Sequence, residues 1–88
     1  MNPSQTSVEA YRRSKQKIES ETVRVYAAIR NCLGDITDRE ISEVTHLPTN
    51  YVWSRRSRLV EKGLVVRSQV RMCFISGFQA TAWRLKKK

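Results

Sequence analysis

The sequence predicts one α+β domain, with helices in the first two thirds of the chain and a β-hairpin in the last third. Up to residue 62, apolar residues recur every three or four positions, which is the period of helices that pack on a shared core. After Gly63 a β-branched apolar run begins, which is typical of a strand. A chain of 88 residues with 40% hydrophobic side chains is long enough for one small core.

The first 20 residues are predicted to form a polar helical extension. Residues 6–9 (TSVE) fit a capping box, in which a hydroxyl and a carboxylate satisfy free amide groups at a helix start. The helix has few apolar residues, chiefly Val8, Tyr11 and Ile18, so it needs a core or a partner chain to dock on. Ser20 is a second N-cap candidate. We therefore predict an extension over residues 1–20 and a main domain over residues 21–88.

The main domain is predicted to begin with a helix from Glu21 to Leu33. Val25, Ile29 and Cys32 or Leu33 lie on one face of this helix, and Gly34 ends it. The next two residues, 35–36, form a short connector that could add one bridge to a small sheet.

Two short helices follow. Residues 37–40 (TDRE) form a second capping box, which opens a helix from Asp38 to Thr45. Its inward residues are predicted to be Ile41 and Val44. Residues 46–48 (HLP) break the chain.

The next helix is predicted from Asn50 to Lys62. Thr49 is its expected N-cap, Val52 and Leu59 point inward, and Gly63 stops the helix.

The C-terminal third is predicted to contain two strands, over residues 64–66 and 81–85. A basic and aromatic stretch, residues 67–80, connects them and turns near Ser76 and Gly77.

The charge of the chain is strongly one-sided. Lys and Arg number 17 against eight Asp and Glu, which gives a net charge of +9. Residues 49–88 hold ten of these cations and one acid, so the whole excess lies in the C-terminal half. Such a distribution indicates a polyanionic partner, since a charge that served only solubility would be spread more evenly.

Residues 37–66 combine a capped helix, a tight turn, a second helix and an immediate strand, which resembles the winged helix-turn-helix family. The resemblance is carried by residues 38–48 (DREISEVTHLP), by Val52 and Leu59, and by residues 62–65 (KGLV). The resemblance covers residues 21–85. Within the family, the chain is similar to MarR-like members and to small basic phage proteins. The resemblance implies a three-helix fold with a hairpin wing, sequence-specific binding of double-stranded DNA, and a role as a small transcriptional regulator of phage or bacterial origin.

The resemblance implies that the helix after the turn reads the major groove and that residues 67–80 form the wing. Residues at the start of this helix could bind a phosphate or an adenine base, and an arginine on its outer face could form bidentate hydrogen bonds with guanine. Capping and simple solvation are the alternative roles for these residues. The candidate DNA-binding residues are Thr49, Asn50, Trp53, Ser54, Arg55, Arg58, Arg67, Arg71, Lys86 and Lys87.

Three positions depart from the family pattern. His46 stands where the turn usually has glycine. Arg55 and Arg56 replace an apolar residue in the middle of the reading helix, so one of them should point partly inward. Phe78 follows Gly77 where the related wings have a basic residue, and Phe74 adds a second aromatic ring. These rings are expected to pack under the wing or against a partner.

The same residues also fit other functions. The apolar wing and Trp53 would also suit a protein-interaction module that binds no DNA, and aromatic stacking would suit RNA. Catalysis is not expected, since His46 is the only histidine, and neither is a metal or cofactor. Cys32 and Cys73 are read as reduced thiols, consistent with a cytoplasmic protein without a membrane segment. A homodimer is possible, with its seam at Val8, Tyr11 and Ile18.

Overall fold

The structure, a computed structural model, describes residues 3–86, with side chains described from Lys15 onward. Its elements are α1 (Pro3–Asn31), β1 (Ile36–Thr37), α2 (Asp38–Thr45), α3 (Thr49–Glu61), β2 (Val65–Met72) and β3 (Gln79–Leu85). The predicted α+β fold is thereby confirmed: helices precede a hairpin that completes a three-stranded antiparallel sheet. None of the described helices is both long enough and apolar enough to cross a membrane.

α1 is one continuous helix of 29 residues, so the predicted break at Ser20 is wrong. The helix also begins at Pro3, ahead of the predicted capping box at residues 6–9. A serine inside a helix costs only about 0.5 kcal/mol relative to alanine, which is less than the loss of the backbone hydrogen bonds at a break. The side chains of Val8 and Tyr11, two of the three predicted seam residues, lie outside the described part of the chain.

One apolar core joins the three helices to the base of the sheet. Its buried members are Val25, Ala28, Ile29, Ile36, Ile41, Leu47, Val52, Leu59 and Val65. The prediction for Val44 is wrong, because this side chain is 61% exposed. Thr45, four residues after the fully buried Ile41, takes the inward position instead, and its hydroxyl donates to the Ile41 carbonyl at 2.8 Å. Leu33 is also exposed, since α1 ends before it.

The capping box at the start of α2 is confirmed. The Glu40 amide donates to Thr37 Oγ1 at 3.3 Å, and the Thr37 amide donates to Glu40 Oε1 at 3.1 Å. The turn that follows is also as predicted, since His46 adopts a left-handed conformation with φ 61°.

The prediction that Thr49 caps α3 is wrong. The helix begins one residue earlier than expected, Pro48 takes the N-cap position, and no side chain caps it. Thr49 lies instead within the first turn of the helix.

The sheet has the order β1-β3-β2, with Ile36 opposite Trp83 and Val65 opposite Leu85. Both hairpin strands are longer than predicted, because pairing continues from Gln69 to Met72 on one side and from Gln79 to Ala82 on the other. In this part of β2 the side chains of Gln69, Val70 and Met72 are exposed, so little of the added pairing packs on the core. A bulge between Arg67 and Gln69 interrupts the register.

Candidate nucleic-acid interface

α3 packs on the core with one side and leaves the other side to solvent. Val52, Arg56 and Leu59 are its buried residues. At 100° per residue, the opposite side of the helix carries Asn50, Ser54, Ser57 and, at the last residue of α3, the exposed Glu61. We call Asn50, Ser54 and Ser57 the outer strip. The outer strip faces away from the core, which is the orientation that a groove-reading helix requires.

The side chains of the outer strip are polar and can still form hydrogen bonds with a partner. Asn50 is exposed, and its amide makes no hydrogen bond with the described residues. Ser54 Oγ accepts a hydrogen bond from Arg55 at 3.1 Å, and Ser57 Oγ accepts one from Arg56 at 3.3 Å. Each serine therefore keeps its own O–H to donate to an acceptor on a partner.

Two larger side chains border the outer strip. Trp53 is 60% exposed on the side of α3 that faces the hairpin. Arg58 is exposed on the other border and forms no ion pair with any residue in the described part of the chain. The predicted group of Asn50, Trp53, Ser54 and Arg58 is thus brought together on one side of α3.

The prediction that Arg55 shares this outer surface is wrong. Its side chain is only 14% exposed, and Nη2 lies 3.2 Å from Oε2 of Glu21 on α1. The Tyr51 ring lies 5.8 Å from the guanidinium carbon. At 100° per residue, Arg55 is turned 100° from Ser54 toward α1, so it joins the two helices instead of facing a groove.

Arg56 confirms the expectation that one central arginine of α3 points inward. Its Nε and Nη2 donate to the two carboxylate oxygens of Asp38 at 3.0 and 2.8 Å. The guanidinium carbon also stands 3.9 Å from the centre of the Trp83 ring. Asp38 is the first residue of α2. This bidentate ion pair therefore fixes the angle between α2 and α3, the two helices of the helix-turn-helix.

An open groove separates α3 from the hairpin, with a volume of about 550 Å³. Thr49, Trp53 and Arg39 line its α3 side, and Ala80, Thr81 and Trp83 line its hairpin side. Arg39 Nη1 donates to Thr49 Oγ1 at 3.4 Å across the turn. The exposed Arg39 is a cation that the sequence analysis missed. A signal was present, since the second residue of α2 lies beside the first turn of α3 in a helix-turn-helix.

Two of the predicted wing and tail cations remain available. Arg67 on β2 and Lys86 after β3 are exposed, and neither forms an ion pair with the residues that the structure describes. Lys87 lies outside the described residues. Lys62, one turn after Arg58 on the same side of α3, is a second exposed cation that was missed.

Arg71 does not occupy the position of a phosphate contact, and that prediction is wrong. Its guanidinium donates to Asp35 Oδ1 at 2.8 Å and to both carboxylate oxygens of Glu40 at 2.8 and 3.0 Å. It also donates to the Asp35 and Met72 carbonyls. We call Arg71, Asp35 and Glu40 the Arg71 clamp, because they tie β2 to the start of α2.

The clamp carries a negative charge at neutral pH. Hydrogen bonds from Arg71 are the main reason why the pKa of Glu40 falls to about 2, and the Phe74 and Thr37 amides lower it further. Arg71 also lowers the pKa of Asp35, with help from Gln69 and Ser68. Both carboxylates are therefore ionised against one guanidinium, which leaves one net negative charge at the wing base.

The end of the wing is apolar. We define the wing tip as residues 72–78, where Phe74 is 79% exposed and Phe78 is 75% exposed. Met72 and Ile75 are exposed as well. Of the two expectations for the aromatic rings, packing under the wing is wrong, and packing against a partner stays a prediction.

The fold and this interface define the class of protein: a helix-turn-helix whose second helix is exposed, followed by a β-hairpin wing. Residues 25–66 match the family model described as winged helix-turn-helix DNA-binding. That segment runs from the second half of α1 through α3 to the first residues of β2. This segment of the chain is therefore similar to winged helix-turn-helix DNA-binding domains, as its sequence resemblance implied.

Neither curated proteins nor solved structures gave a match to the chain. Within the described residues, no three His, Cys, Asp or Glu side chains are grouped so as to hold a metal ion.

Proposed function

We propose that this protein binds specific sequences in double-stranded DNA and regulates transcription by occupying its site, without catalysing a reaction. The small phage and bacterial regulators that it resembles suggest the same role. In a bacterial cell the DNA lies in the cytoplasm, so we propose that the protein acts there. The observation that carries the proposal is the outer strip of α3. It is a polar helix face, turned away from the core and bordered by a tryptophan and by an arginine that forms no ion pair among the described residues.

Sequence discrimination is assigned to three side chains on or beside the outer strip. The carboxamide of Asn50 has a donor and an acceptor that match the N7 and N6 positions of adenine. The guanidinium of Arg58 matches the O6 and N7 acceptors of guanine. Ser54 supplies a hydroxyl donor between them. A correct two-pronged contact contributes about 1–3 kcal/mol of discrimination against the wrong base.

Phosphate binding is assigned to the exposed cations around α3. Arg39 lies by the groove at the helix start, Lys62 lies at its end, and Arg67 and Lys86 lie on the hairpin side. Such contacts orient a protein on the duplex and make its affinity fall steeply as salt rises.

A homodimer would match two half-sites of an operator. The seam proposed from the sequence is the first part of α1, with Val8, Tyr11 and Ile18. Ile18 is half-buried on α1, three residues before Glu21, the partner of Arg55.

A protein-interaction module is the second candidate function, and the exposed rings of Phe74 and Phe78 favour it. In that case the same fold would hold a protein partner and would bind no duplex. A binding experiment distinguishes these two functions.

Selection from a pool of random duplexes tests the proposal. We expect a defined sequence to be enriched and to bind more tightly than scrambled DNA. Asn50→Ala should then weaken binding to the selected site by about tenfold and leave scrambled DNA unaffected. Asn31→Ala, at an exposed asparagine at the end of α1, is the matched control and should bind as the unmodified protein does.

Three results would contradict the proposal. A pool without enrichment would remove sequence specificity. Failure to bind any duplex at low salt, together with a defined complex on a protein, would favour the interaction module. A preference for single-stranded RNA over the selected duplex would favour RNA binding.

A further inference from the structure

The two tryptophans of the chain have different surroundings. Trp83 on β3 is half-buried, and the guanidinium carbon of Arg56 lies 3.9 Å from the centre of its ring. Trp53 on α3 is 60% exposed, and none of the cation–π contacts among the described residues involves it. Most of the Trp53 ring is therefore available to a partner.

Trp53 borders the side of α3 that the proposed function places in the major groove. Around the helix axis, its side chain is turned about 40° from Ser57 and about 60° from Asn50. Arg58, on the other border, is turned about 80° from Asn50. A helix orientation that brings Arg58 to the base edges therefore brings Trp53 to them as well.

Base edges in the major groove offer one apolar group to such a ring. Adenine, guanine and cytosine present hydrogen-bonding groups there, and thymine alone adds a methyl group at C5. An indole ring placed on the other edges would displace water from donors and acceptors and would replace few of the lost hydrogen bonds. Placed on the methyl group, the ring buries apolar surface on both sides of the contact, which is favourable.

We propose that Trp53 is a specificity-determining residue that contacts the 5-methyl group of a thymine in the bound site. The inference rests on the proposed function, because it requires α3 to lie in the major groove. Trp53 follows Asn50 by three residues, which is about 4.5 Å along the helix axis. Neighbouring base pairs are about 3.4 Å apart. The recognised thymine is therefore expected within two base pairs of the adenine assigned to Asn50.

The site enriched from the random duplex pool provides the test, with each thymine replaced in turn by deoxyuridine. This replacement removes one methyl group and leaves every hydrogen-bonding group of the base pair in place. At one position it should weaken binding of the unmodified protein by about fourfold, which corresponds to the loss of one buried methyl group. At the same position, 5-methylcytosine should bind more tightly than cytosine, because it restores that methyl group.

Variants of Trp53 identify the side chain that contacts the methyl group. Trp53→Ala should bind the thymine and deoxyuridine duplexes equally, and Trp53→Phe should keep part of the difference because an apolar ring remains. Phe74→Ala removes another largely exposed aromatic ring and is the matched control, which should retain the full difference. Urea unfolding checks that each variant is folded, and the deoxyuridine series on the unmodified protein needs no variant at all.

Three results would overturn the inference and leave the proposed function intact. One is an enriched site in which no deoxyuridine replacement weakens binding. Another is a difference that Trp53→Ala retains, because a different residue would then contact the methyl group. The third is an equal loss of affinity for selected and scrambled duplexes in Trp53→Ala, which would place the ring on the sugar–phosphate backbone. A pool without enrichment would instead overturn the proposed function together with this inference.

Discussion

Two groups of cations occupy different regions of this molecule. Between the elements, Arg55, Arg56 and Arg71 each meet one or two carboxylates at 3.2 Å or less. On the outer surface, Arg58 and Arg67 form no ion pair with the described residues. The two groups have the same side chain and lie close together in the sequence, yet they have different neighbours.

The difference teaches that net charge alone does not identify a binding surface. The inner group joins three arginines to four carboxylates, so it takes nothing from the net charge of +9. The outer cations therefore retain the whole positive excess for a partner. The inner arginines join α1 to α3, α2 to α3, and the wing to α2.

The largest effect is expected at the centre of the Arg71 clamp. Arg71→Met leaves Asp35 and Glu40 mostly buried without a cation, so it should lower the free energy of unfolding by about 3–4 kcal/mol. Arg67→Met, four residues earlier on the same strand and exposed, should change it by less than about 0.5 kcal/mol. Urea unfolding followed by tryptophan fluorescence measures both, and equal effects would break the distinction between the two groups.

A somewhat smaller loss is expected from Arg56→Met. The change leaves Asp38 unpaired and removes the stacking on Trp83, and we expect it to cost about 2–3 kcal/mol. The exposed Arg58→Met, on the same helix, is the control. If both variants unfold at the same urea concentration, the Arg56 pair does not stabilise the helix-turn-helix.

Acid should weaken the clamp through Glu40. Because the pKa of Glu40 is lowered to about 2 in the folded state, its contribution is fully present above the unfolded pKa of 4.5 and is lost as pH falls toward 2. We expect a loss on the order of 2 kcal/mol between pH 6 and pH 3. Unfolding curves at several pH values measure it. Glu40→Gln should flatten this part of the pH profile, and an unchanged profile would contradict the assignment.

The smallest effect among these concerns binding. Arg58→Ala should weaken DNA binding by about tenfold, which is about 1.4 kcal/mol, and should leave stability unchanged. Arg30→Ala, at an exposed arginine in the last turn of α1, is the matched control for loss of one positive charge. A similar loss in both variants would mean that total charge, and not the position of Arg58, determines affinity.

Most of the fold could be predicted from local patterns. The capping box at residues 37–40, the left-handed turn at His46 and the strand after Gly63 depend on neighbouring residues, so the sequence alone identifies them. The continuity of α1 could not be predicted in this way. Ser20 has the chemistry of a cap, but a cap acts only where the chain leaves the helix, and that depends on how the helix packs.

The candidate site was only partly predictable for a related reason. The position of α3 after the turn is enough to predict that four residues lie on its outer side: Asn50, Trp53, Ser54 and Arg58. The separation of Arg55 from Arg58 depends on where α1 places Glu21, which is 34 residues away from Arg55 in the sequence. Arg71 likewise depends on Asp35 and Glu40, which only the folded chain brings to the wing. Ion pairs between distant segments leave no local pattern in a single sequence.

The salt dependence of DNA binding tests most directly whether the outer cations carry binding and the inner arginines carry structure. The double variant Lys62→Gln, Arg67→Gln, at two of the exposed cations assigned to phosphate, should reduce the slope of log affinity against log salt by about 2. Arg71→Gln, measured where its unfolding curve shows it folded, should leave the slope unchanged. A slope that stays the same in the double variant, or falls in Arg71→Gln, would contradict the account.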